Sequence, residues 1–154
     1  MGKLKVGKNS MGQGVEGRSG LEAVHRLGAI ADVLVENCRP GVMRRLKLEH
    51  ASLHELNPKL IYCSISGFGQ TGPGRNWTAY DLILQGMSGI MSLTVQEDGP
   101  PTRVAIPIAD MTAGIFAASA IMPAPSRKAG RGRGPFMHAP LLHPQVTTLD
   151  SPHP

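Results

Sequence analysis

Apolar positions along the chain change their spacing several times, and each change marks an element. Leu21, Val24 and Leu27 recur at helical spacing after Gly20, and Ala31 to Val35 then form a short, β-branched run ending at Glu36-Asn37. This predicts a helix followed by a buried strand. Pro40 stands where a new helix can start, because a first-turn proline lacks only an N–H that would go unpaired there anyway. Val42, Leu46, Leu48, Leu53 and Leu56 supply the apolar stripe of that helix, interrupted near Lys47 and closed by Asn57-Pro58. Leu60 to Ser66 reads as a second strand running into a glycine-rich loop. Strand, helical crossover and strand make a βαβ unit, which calls for parallel pairing with a right-handed connection.

Beyond the loop, Tyr80 to Gly89 has the pattern of a helix, and Glu97-Asp98-Gly99-Pro100-Pro101 that of a turn before an extended piece, Arg103 to Ile108. Asp110 lies where that piece meets Thr112 to Met122, a stretch apolar on nearly every face and expected to be a buried helix with Asp110 as its N-cap. Pro123 and Pro125 stop it. The expected organisation is a flexible Gly/Lys-rich lead-in over residues 1–19, a folded domain over 20–122, and a Pro/Arg/His-rich, poorly ordered tail over 123–154.

Composition narrows the class. With 154 residues, 41% hydrophobic and 18% charged, the chain fits one soluble domain that buries roughly two-thirds of its unfolded surface without needing disulfides or metal. Cys38 and Cys63 are too few for a secreted scaffold and are expected as reduced thiols, which places the chain in the cytoplasm, or in the mitochondrial matrix of a eukaryote. No uninterrupted apolar run approaches the roughly 20 residues that cross a bilayer, and Val6 replaces the hydroxyl residue of a myristoylation signal, so no membrane partner is expected. The net charge of +5 favours anionic ligands. Its Arg-Gly run, Lys128 to Gly134, lacks the aromatics that stack bases, so nucleic acid is not expected.

Several residues are candidates for chemistry. Gly67-Phe68-Gly69-Gln70-Thr71-Gly72 spells G-x-G-x-x-G after a strand, but Pro73-Gly74 follows where a phosphate-binding helix would continue, and no acidic residue stands about 20 positions on. A tight turn that lets the backbone approach something closely is the better reading. Asp110 is either a cap or a carboxylate nucleophile; ionised at neutral pH and favoured further by a helix N-terminus, it could attack a carbonyl without a partner base. Ser64 and Ser66 lack the flanks of a hydrolase elbow. His25, His50 and His54 fall on expected helices as surface or satisfied residues, and His138 and His143 have no acidic or cysteine ligands beside them, so no metal site is expected.

Ala31 to Val42 and Asn57 to Pro73, with Tyr80-Asp81, Met87-Ser88-Gly89, Gly99-Pro100-Pro101 and Ile108 to Gly114, follow in unbroken order a pattern that resembles the family III CoA-transferases, the CaiB/BaiF family. The resemblance covers about residues 20 to 122. It implies an α/β fold: a partial Rossmann-like parallel sheet with flanking helices, part of a large domain and incomplete relative to the interlocked dimer of full-length members. The implied activity is acyl-CoA:carboxylate CoA transfer through an aspartyl-CoA thioester, with coenzyme A thioester as substrate rather than permanent cofactor, and an acyl-CoA and a small carboxylic acid as partners. By the same resemblance Asp110 is the nucleophile, Asn37, Cys38 and Arg45 meet CoA, Tyr80 is an active-site tyrosine, and Gly67 and Gly69 approach CoA or substrate. A racemase-type member carries histidine where Tyr80 stands, and tyrosine is a poor general base at neutral pH. Members are more than twice this length, so a chain truncated at both ends is expected, with an inactive CoA-binding or interaction remnant as the rival function.

Overall fold

A computed structural model describes residues 7–10, 12, 14, 15, 17–95, 98–126 and 132–149. Much of the lead-in, the start of the 97–101 turn and most of the Arg-Gly run lie outside the described residues. The elements are α1 (Arg18–Ile30), β1 (Val33–Glu36), α2 (Val42–Arg45), α3 (His50–Leu56), β2 (Ile61–Ser66), a 3-10 turn (Pro73–Asn76), α4 (Asp81–Ser88), α5 (Ile90–Leu93), α6 (Ile108–Ile121), β3 (Phe136–Pro140) and α7 (Leu142–Leu149). The strands form one three-stranded parallel sheet in the order β1-β2-β3, as the βαβ pattern requires. Val33 pairs with Ile61 and Glu36 with Ser64, while Tyr62 pairs with Phe136 and Ser66 with Pro140. β2 lies between two neighbours and is almost wholly buried, which is why its sequence is a continuous run rather than an alternation.

The β3–α7 segment lies in the stretch expected to be a poorly ordered tail. Its pattern, Phe-Met-His-Ala-Pro, carries little local signal, and the free edge of β2 makes it a strand. Gly134 permits the approach: a Cβ there would overlap the carbonyl of Leu60, and the Gly134 N–H donates to the Pro58 oxygen at 2.9 Å.

The single helix expected from Pro40 to Leu56 is divided into α2 and α3. Lys47 adopts a left-handed φ of 56°, and the chain turns there as the Leu48 N–H donates to the Met43 oxygen at 2.8 Å. Asn57 ties the end of α3 to the end of α1, its Nδ2 donating to the carbonyls of Gly28 and Ala31 at 3.1 and 2.9 Å. One core group gathers here, with Leu48, Leu53, Leu60 and Tyr62 buried and Leu21, Val24 and Leu34 packed against them.

The second core group is Leu84, Ala109, Ala113 and Leu141, with Ile65, Phe68 and Ala79 packed against it. It corrects two expectations about α6. The helix starts at Ile108, so Asp110 is inside its first turn rather than at its cap; the cap position is Pro107. It is also not buried throughout: Ala109, Ala113 and Ala117 face inward, whereas Met111, Ile115 and Met122 are 50%, 60% and 72% exposed. An all-round apolar pattern cannot reveal which side is covered. Contrary to the expectation of no membrane-length segment, the helical stretch Ile108–Ser126 is long and apolar enough to cross a bilayer by length and composition. In the fold its inward side packs against β2, β3, α4 and α7.

Candidate active site at the carboxyl ends of the strands

In open parallel sheets ligands bind beyond the carboxyl ends of the strands. The residues following β1 and β2 meet there. Asn37 Nδ2 donates to the Ile65 oxygen at 3.0 Å, joining the two strand ends, and the Cys38 N–H donates to Glu36 Oε2 at 2.7 Å. A cavity of about 180 Å³ is lined by Asn37, Cys38, Gly67 and Tyr80, together with Arg39 and Arg75. Gly67 is needed because a Cβ at this position would collide with the Cβ of Ala79, the neighbour of Tyr80. The glycine thus lets the loop after β2 lie against the segment that carries the tyrosine. Tyr80 itself is 63% exposed. Burial, and then the charge of Glu36, push the Cys38 thiol up from its ordinary value, so it is held as a thiol rather than a thiolate.

A second cavity of about 430 Å³ adjoins it, sharing Arg39 and Arg75 and adding Arg44, Glu36, Glu49 and Ser64. Gln70 Nε2 donates to Ser64 Oγ at 2.9 Å, fixing the glycine loop over the sheet. The guanidiniums give both cavities donors suited to phosphate or carboxylate oxygens. Sequence reasoning passed over Arg39, Arg44 and Arg75. Arg39 could have been found from its place directly after Asn37-Cys38, whereas nothing in the linear pattern marks Arg75. Arg45, the basic residue chosen from the sequence, is exposed on α2 and lines neither cavity.

Gly69 has a φ of +104°, which favours glycine, and a Cβ there would stand 3.2 Å from His138 Cε1. Its role is to admit that ring. His138 was expected in a solvated tail; instead its Nε2 lies 3.0 Å from Ser66 Oγ, linking β3 to β2. Burial lowers the affinity of His138 for a proton, partly opposed by Glu36.

Asp110 lines neither cavity. It is connected to the cleft through the start of α4. Asp81, next to Tyr80, accepts the Ala109 N–H on Oδ1 at 2.7 Å and the Gln85 amide on Oδ2 at 2.6 Å. The carboxylate that serves the N-terminus of α6 is therefore Asp81, reaching across from another helix. Gln85, fully buried, accepts the Val104 N–H at 2.8 Å and so holds the segment entering α6. Partial burial, and then the negative charge of Asp81, push the Asp110 carboxyl up from its ordinary value. This reverses the direction expected from a helix N-terminus alone.

The sequence pattern of CoA-transferase family III matches residues 3–153. The chain belongs to that family. A succinate–glutarate CoA-transferase of Agrobacterium fabrum is 42% identical over 143 residues, covering 93% of this chain and 36% of the relative. An acetyl-CoA:oxalate CoA-transferase of Acetobacter aceti is 50% identical over 105 residues, covering 68% of this chain and 27% of the relative. The crystal structure of a CaiB/BaiF family protein from Brucella suis superposes with a TM-score of 0.90 at 38% identity, covering 94% of this chain and 38% of that one. This family III chain thus spans between a quarter and two-fifths of the length of these relatives.

Proposed function

We propose that this chain carries part of the active site of an acyl-CoA:carboxylate CoA-transferase, with Asp110 as nucleophile. The observation that carries the reading is the link from the cleft to that residue: Tyr80 lines the small cavity, Asp81 follows it, and Asp81 fixes the first turn of α6 on which Asp110 stands. Asn37, Cys38 and Gly67 would border the pantetheine arm, and Arg39 and Arg75 would meet CoA phosphates. Arg45 would serve only a phosphate lying outside the cavities. Gly69 would act indirectly, by letting the loop close over His138.

In this reading the Asp110 carboxylate attacks the thioester carbonyl and CoA leaves as thiolate, giving a mixed anhydride. The thiolate then attacks the aspartyl carbonyl, releasing the donor acid and leaving an aspartyl-CoA thioester. The acceptor carboxylate reopens it in the reverse order, so the thioester bond energy passes from acid to acid. The relatives are named for dicarboxylates, succinate with glutarate and oxalate, and a small dicarboxylic acid is the proposed acceptor class. The exposed apolar side of α6 supports a homodimer, and the free thiols of Cys38 and Cys63 support a reducing compartment such as the cytoplasm.

Incubation with succinyl-CoA, hydroxylamine quenching and peptide mass analysis are expected to place a hydroxamate on Asp110 and none in Asp110→Asn. Folded chain that binds CoA but gives no Asp110 adduct would establish the rival, a CoA-binding remnant. That rival is favoured by one observation, the absence of Asp110 from the lining of both cavities.

A further inference from the structure

Ser66 and His138 take no part in the CoA transfer, yet they are paired at the carboxyl end of the sheet. Ser66 Oγ lies 3.0 Å from His138 Nε2, within the range expected of a hydroxyl nucleophile and its base. Ser66, the last residue of β2, is 4% exposed and lines the cavity of about 180 Å³. His138 stands on β3, outside that lining, as a base behind its nucleophile does. The strand register puts Glu36, Ser64 and His138 in one row across β1, β2 and β3, and Ser66, two residues beyond Ser64, shares their face of the sheet. Burial keeps the imidazole neutral and so able to accept a proton. The charge of Glu36 opposes that effect and favours the imidazolium once it forms. Glu36 is itself held in place, with Oε2 accepting the Cys38 N–H at 2.7 Å. The two partners are 72 residues apart, so no local motif could reveal them.

We propose that Ser66 and His138 form a nucleophile and base pair that hydrolyses short acyl thioesters entering the small cavity. It shares the cavity assigned to the pantetheine arm, but needs neither Asp110 nor a bound nucleotide. His138 Nε2 takes the hydroxyl proton as Ser66 Oγ attacks the thioester carbon; the C–S bond breaks, and the sulfur leaves with that proton as a thiol. Water then attacks the seryl ester and gives a proton to His138, which returns it to Ser66 Oγ as the carboxylic acid departs. Arg39 and Arg75 on the cavity wall supply a positive field to the oxyanion of each step. At about 180 Å³ the cavity holds a short acyl group and the sulfur end of its carrier, not a long fatty chain.

The test uses the full chain with diisopropyl fluorophosphate, which marks activated serines, and with S-acetyl-N-acetylcysteamine, a small thioester without a nucleotide. Peptide mass analysis is expected to find the phosphoryl group on Ser66. Thiol release from the thioester is expected to fall at least about 100-fold in Ser66→Ala and in His138→Gln. Ser92→Ala, on the exposed side of α5, should keep both readouts. Unlabelled Ser66 in the parent chain would overturn the proposal whether or not the variants fold. Thiol release that persists in folded Ser66→Ala, or a labelled Ser66 with no thioester cleavage, would overturn it as well. Failure to bind CoA or to form the Asp110 adduct sinks the transferase reading and leaves these readouts unaffected.

Discussion

Around Leu53 the chain packs large aliphatic and aromatic side chains into one another, whereas around Ala113 it packs alanines against a buried amide network. The first region is closed: α1, α3 and the sheet cover it, and Gly28 lies so close that a Cβ there would stand 3.1 Å from Leu53 Cδ2. The second is closed on one side only. Gln85 and Gln145 are buried at 1% exposure each, yet Met111, Ile115 and Met122 on the other side of α6 stand half exposed or more. One half of the fold is held by hydrophobic volume. The other is held by hydrogen bonds that position Asp110, and it leaves apolar surface available to a further layer.

Substitutions can break this contrast. Leu53→Ala, at a site with 0% exposure, is expected to cost about 2–5 kcal/mol in urea unfolding, because the lost burial is joined by a cavity that cannot collapse. Next comes Gln85→Ala, which strands the Val104 N–H and frees one oxygen of Asp81; about 1–3 kcal/mol should be lost in the same measurement. A loss far below 1 kcal/mol would show that the amide network is not what holds the α6 half together. Ile115→Ala, 60% exposed, should change the stability of the isolated chain by no more than about 0.5 kcal/mol.

The smallest effect sharpens the electrostatic side. The Asp110 carboxyl is pushed up in the folded chain, so its folded value lies above its unfolded one. The protonated form is then favoured by folding: this contribution is fully present below the unfolded value and is lost as pH rises through the folded one. Asp110→Asn should therefore stabilise the chain slightly at neutral pH, by no more than about 0.5 kcal/mol after solvent screening, and the gain should vanish in acid. Stability that rises with pH because of Asp110 would contradict its partial desolvation beside the charge of Asp81. For the same reason, adduct formation at Asp110 should fall off on acidification at a pH above that of an ordinary aspartate.

Much of this was legible along the chain. α1, β1, β2 and α4 follow from spacing and from Asn57-Pro58 and Gly89, since each is specified by neighbours within a few residues. The meeting of Asn37, Cys38, Gly67 and Tyr80 was legible only through the ordered resemblance to a family, because no local rule brings residue 37 to residue 80. Arg75 and His138 were not legible at all. A lone arginine in a 3-10 turn and a histidine between methionine and alanine carry no signal until the sheet places them.

The sequence by itself determined the βαβ unit, the parallel sheet and the family, because those rest on periodicity and on short motifs that neighbouring residues enforce. Tertiary structure alone decided that β3 joins the sheet, that Asp81 rather than Asp110 serves the start of α6, and that one side of that apolar helix stays uncovered. Each of these depends on a contact between segments distant along the chain, whose energy no local pattern records.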